Sequence, residues 1–109
     1  MRKQWKLQEN GQLILKIIIL VFDHNINNNL FIYPNPSIDI FNITFTSEQI
    51  QDLKVKVLNV LGEEVINENL EQFIGEYTKA IDLATYTKGV YFLEITTNDG
   101  VVNKKLILQ

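Results

Sequence analysis

The residues able to do chemistry are few and scattered. The chain has one histidine, His24, and no cysteine. One imidazole without a thiol or a carboxylate cluster makes neither a metal site nor a catalytic dyad. His24 lies in the asparagine-rich run DHNINNN (23–29) and is read as an exposed loop residue. The densest acidic group is Glu63, Glu64 and Glu68. On a strand, successive side chains point to opposite faces, so this group reads as a solvated strand face rather than an acid/base pair. The NDG triplet at 98–100 is too short for a calcium loop, whose ligands spread over about twelve residues. NIT at 42–44 matches the glycosylation triplet but falls inside a strand pattern, and is read as structural. No glycine run is present to cradle a phosphate. With Lys plus Arg at 10 and Asp plus Glu at 13, the net charge is −3, which gives no pull toward nucleic acid or anionic membranes. The expectation is a non-enzymatic domain with no cofactor, no metal and no nucleic-acid partner.

The elements that carry these residues are β from residue 30 onward. LFIY, IDIFNITFT (38–46), LKVKVLNV (53–60), EVINENL (64–70), YTKAIDL (77–83), GVYFLEITT (89–97) and VVNKKLIL (101–108) alternate with turn signals. In LKVKV, Leu53, Val55 and Val57 share one face and Lys54 and Lys56 the other, the period-2 mark of a half-buried strand. Gly62, Gly75 and Gly89 mark reversals, and Asp99-Gly100 suits a type I′ hairpin turn, in which both central residues take φ > 0. SEQIQDL (47–53) reads as one helical turn or a wide loop. The pattern predicts an all-β fold, a small antiparallel sandwich of about seven strands.

The first 29 residues differ. Arg2, Lys3 and Lys6 precede the apolar run LILKIIILVF (13–22), an arrangement resembling an export signal. Lys16 interrupts the run, Glu9 precedes it, and no small-residue cleavage site follows it. The alternative is an apolar-faced helix or strand, or the remnant of a longer reading frame. Residues 23–29 read as a linker, with a domain boundary near residue 30.

The stiff pentapeptide YPNPS (33–37) opens the β region. Pro34 and Pro36 lack amide donors and hold φ near −65°. They steer Tyr33 and Asn35 toward extended geometry. Such a segment pairs only partly with a neighbouring strand. The aromatics from Phe31 to Phe92 serve either as a sandwich core or as a carbohydrate-stacking platform, since periodicity does not separate the two.

YPNPS, then LKVKVLNVLGEEV, then LATYTKGVYFLEI, then TTNDG, then a terminal NKKLILQ occur in an order that resembles the type A C-terminal sorting domain of the type IX (Por) secretion system, over residues 31–109. The resemblance implies an Ig-like β-sandwich that acts as a removable address. It implies a cargo joined N-terminally, and passage through the periplasm and outer membrane of a Gram-negative bacterium to the surface or medium. Its implied partners are the translocon, a shuttle protein and a surface sortase that cuts upstream of the first strand, here within residues 23–30. Carried onto this chain, the recognition and boundary positions are Tyr33, Pro34, Asn35 and Pro36; Gly62; Gly89, Val90 and Tyr91; and Lys104, Lys105, Leu106, Ile107 and Leu108. Lys104 and Lys105 either mark an edge for strand addition or guard that edge against aggregation. The competing function is a carbohydrate-binding or adhesive module.

Overall fold

A computed structural model describes the backbone of residues 2–7, 13–18 and 24–109, and side chains from Asn25 onward. Strands β1 (Arg2–Leu7) and β2 (Leu13–Ile18) pair antiparallel, with Arg2 opposite Ile18 and Leu7 opposite Leu13. The export-signal reading falls partly on these strands. Residues 8–12 and 19–23 lie outside the described residues, as does the His24 side chain. No helix among the described residues is long and apolar enough to cross a membrane.

Helix α1 (His24–Asn29) then leads into the main sheet of β3 (Phe31–Tyr33), β4 (Ile40–Leu58), β5 (Glu64–Asp82), β6 (Gly89–Thr96) and β7 (Val101–Leu108). Every pairing between these strands is antiparallel, in the order β3-β4-β6-β7, with β5 on β4. The fold is all-β, as expected, but the main sheet has five strands rather than about seven. Residues 38–46 and 53–60, read as two strands, are one: β4 runs through 47–53, where neither a helical turn nor a wide loop forms. Residues 64–70 and 77–83 likewise merge into β5, and Gly75 bends a continuous strand instead of reversing it.

The cause is a set of register shifts. The β4–β5 ladder slips between Ser47 and Gln51 and again between Gln51 and Leu53. Opposite these shifts, Gln72 takes φ 48° and Gly75 φ 100°. The Asp52 carboxylate accepts the Gln72 N–H at 2.9 Å and holds the bulge. Bulges bend a strand and increase its twist without ending it. The sheet therefore curls around one core, and β4 alternates in face on both sides of its exposed residues 48–50. Phe41, Ile43, Phe45, Leu53, Val55 and Val57 are all buried, and between them so are Ser47 and Gln51.

Those two polar residues are satisfied. Gln51 Nε2 donates to Ser47 Oγ at 2.8 Å, and Gln51 Oε1 accepts the Asn98 N–H at 3.1 Å. The second bond ties the β4 bulge to the β6–β7 turn. That turn is a hairpin, but not of type I′: among described non-glycine residues only Gln72 has positive φ, so Asp99 does not. Thr97 sets the turn instead, its hydroxyl accepting the N–H groups of Asp99 and Gly100, each at 3.1 Å.

Aromatics fill much of the core. Phe41, Phe45, Tyr77 and Tyr91 are buried, and Phe45 stacks on Tyr77 with ring centroids 4.9 Å apart. Leu93, Ile95, Val102, Leu106 and Leu108 complete the apolar face. Replacing Gln51 with Ala leaves the Asn98 N–H without its acceptor, an expected loss of about 1–3 kcal/mol. Urea unfolding checks this: the midpoint falls while the slope is retained.

Candidate functional site

The site is built from the ends of the sorting-like segment. β7 ends the sheet order, so one of its edges has no strand neighbour. Successive residues of a strand aim their backbone groups to opposite edges. Ile107 aims both of its groups outward, and YPNPS receives them. Its carbonyl accepts the Ser37 N–H at 3.0 Å, and its own N–H donates to Asn35 Oδ1 at 3.0 Å. Asn35 Nδ2 donates to the Lys105 carbonyl at 2.8 Å, and the Gln109 N–H donates to the Ser37 carbonyl at 2.8 Å. Ser37 and Leu108 form a parallel bridge.

Proline explains the use of a side chain. Pro34 and Pro36 have no N–H to give, and both X–Pro bonds here are cis. The Asn35 carboxamide carries a donor and an acceptor, the same pair a strand residue would offer. It replaces the missing backbone rung. Ser37, outside the expected positions, anchors the far side. It is buried, its hydroxyl donates to the Ile40 carbonyl at 2.6 Å, and Ser37 Oγ accepts the Asp39 N–H at 3.2 Å.

Gly62, Gly89, Val90 and Tyr91 gather at the same pole, whereas Lys104 lies mid-strand opposite Leu93. Gly89 lies opposite Leu108, and Lys88 Nζ donates to the Ile38 carbonyl at 2.7 Å. Tyr91 is buried and donates its hydroxyl to the Thr87 carbonyl at 2.6 Å, which pins the turn before β6. The 59–63 turn comes alongside. Val60, Leu61, Lys88, Gly89, Val90 and Tyr91 share the wall of a shallow cleft of about 360 Å³. Gly62 has φ 82°, a region that disfavours a side chain although the space beside it is open. Asn59 organises this turn and was missed in the sequence reading. Its Oδ1 accepts the N–H groups of Leu61 at 2.9 Å and Glu63 at 3.0 Å. An asparagine three residues before a turn glycine is the signal that could have found it. The tip leaves Val60 and Leu61 exposed, and Ile38 is exposed nearby on the Lys88 side.

The expected residues divide by exposure. Tyr33, Pro34, Asn35, Pro36 and Lys105 are exposed, whereas Tyr91, Leu106 and Leu108 are buried. Lys104 is half-buried on the face that carries Val102 and Leu106, opposite Lys105, so the two lysines form no common patch.

The three clustered carboxylates have separate partners. Glu63 accepts from Asn59 Nδ2 at 3.0 Å, Glu64 pairs with Lys56 at 3.1 Å, and Glu68 pairs with Lys79. The Lys56 hydrogen bond, with that of Asn67, holds the Glu64 carboxyl below its usual range. Burial, reinforced by the Glu68 charge, pushes the Tyr77 hydroxyl above its usual range. Among the described residues no group of three or more His, Cys, Asp or Glu stands close enough to hold a metal.

These features define a compact antiparallel β module whose first and last segments are locked together at one pole. Residues 31–109 match the Por_Secre_tail family, the secretion system C-terminal sorting domain, and the chain belongs to that family. No curated protein matches the chain. The matched span begins at β3 and ends on Gln109, so it holds both halves of the clasp.

Asn35→Ala removes two of the bonds on the β7 edge. We expect the Ile107 amide to exchange with solvent at least tenfold faster, while the Leu106 and Leu108 amides, which face β6, keep their protection. The loss in global stability is about 1 kcal/mol, because the site is exposed. Unchanged exchange at Ile107 would remove Asn35 from this role.

Proposed function

We propose that residues 31–109 are an address. They direct a cargo joined N-terminally through the type IX secretion system, across the outer membrane, to the cell surface or medium. The observation that carries this reading is the family match over one whole folded unit. The translocon and its shuttle protein are the partners that read the folded domain, and a surface sortase removes it at the junction of residues 23–30.

The geometry supports recognition of a shape rather than of a linear string. Tyr91 and Leu106 are buried, so their side chains offer a receptor little surface in the folded state. They act by forming the pole that presents Tyr33 to Pro36, the 59–63 turn and the Lys105 side chain. A carbohydrate platform is not favoured, because Phe41, Phe45, Tyr77 and Tyr91 are used in the core.

Fusing residues 24–109 behind a periplasm-directed fluorescent reporter in a type IX-competent host tests the proposal. The reporter is expected outside the cell. Retention in the periplasm, while a known sorting domain exports the same reporter, would reject it. Leu106→Asp places an unpaired charge in the core, a change that unfolds a domain of this size. It is expected to abolish export.

A further inference from the structure

Helix α1 lies outside the family match, which begins at Phe31. It also has little reason to be a helix by itself. Its six residues, HNINNN, carry no acidic residue in the first turn and no basic residue in the last. Asparagine is a poor helix former, and isolated helices this short are unstable in water. Ile26 and Asn29 anchor it to the domain. Ile26 is 2% exposed and belongs to the same apolar core as Phe41 and Leu106. Asn29 reaches Thr46 on β4: its Oδ1 accepts the Thr46 N–H, and its Nδ2 donates to the Thr46 carbonyl at 3.2 Å. The β3–β4 ladder places Phe31 opposite Thr44, so Asn29 extends it by one rung, with a carboxamide in place of backbone.

A protease binds its substrate as an extended chain, and a helix with a buried anchor does not offer one. We propose that α1 is a lock on the junction between the domain and whatever precedes it: residues 25–30 become cleavable only when Ile26 and Asn29 leave their seats. This rests on the reading of that junction as the processing region, and it adds a contact that controls access to it. Cleavage of a locally opened segment follows the population of the open form, so weakening either anchor raises the rate at that segment alone.

Limited proteolysis of the full chain by thermolysin, followed by mass spectrometry of the fragments, tests the lock. Thermolysin cuts before apolar residues, and Asn25-Ile26 and Asn29-Leu30 are such bonds. Wild type is expected to keep residues 25–30 on its resistant fragment. Ile26→Ala and Asn29→Ala are each expected to be cut within 25–30 at least tenfold faster, leaving a fragment that starts at Leu30 or Phe31 and persists. Wild type cut in this segment as fast as the variants would overturn the proposal. So would variants that lose the 31–109 fragment in step with α1, since α1 would then belong to the global folding unit. No secretion machinery takes part, so failure here is separable from failure of the sorting role.

Discussion

An edge strand leaves every second residue with an N–H and a C=O turned away from the sheet, and each must find water or a partner. β7 is such a strand, and it is also the last segment of the chain. Asn35 and Ser37 satisfy the outward groups of Ile107 and the Lys105 carbonyl, and Gln109 closes onto Ser37. This clasp joins the first and last segments of the family-matched domain. It also seats Ile38 beside Lys88 and brings the turn before β6 against the chain end. The pole that carries most of the exposed motif residues depends on it.

The same device recurs. Asn29 places its carboxamide on the Thr46 backbone as Asn35 does on β7, and Asn59 folds a turn around its own side chain. Each asparagine substitutes a side-chain amide for a peptide group where the main chain cannot supply one. In the PNP segment the reason is visible, since the flanking prolines have no donor. In a cysteine-free domain this size, such local closures add to the apolar core in place of disulfides.

A sorting signal of this kind asks for little chemistry and much shape. The paired carboxylates are neutralised one by one, and the two lysines near the C-terminus point to opposite faces. With β7 clasped over Lys105 to Gln109, the covered part of its edge is not free for strand addition. Val101 and Asn103 stand on the part beyond the clasp, with the Lys105 side chain exposed beside them. That arrangement combines an edge kept short with a charge at its margin, both of which oppose aggregation.

Much of the fold was legible because period-2 alternation and glycine turns are local signals. Leu53, Val55 and Val57, Tyr91 to Ile95, and the turn before Gly89 lie as their pattern predicts. The strand count was not legible. Ser47, Gln49 and Gln51 interrupt the apolar alternation of β4 and look like a break, yet Ser47 and Gln51 are buried at the next positions of the same face. A polar pair that satisfies itself across a bulge has no signature in hydropathy. The HNINNN run was obscure for the converse reason: its asparagines suit turns, and the helix is held by the seats that Ile26 and Asn29 find on the domain. Read alone, the residues establish the β class, the turns at Gly62 and Gly89, the absence of thiol chemistry and the order of segments on which family membership rests. Tertiary structure alone decided which distant segments meet: that Asn35 finds the edge of β7, that β4 and β5 each remain one strand, and that α1 is docked. Those outcomes depend on unmet backbone groups and free core volume at residues 17 to 72 positions away, which no local pattern encodes.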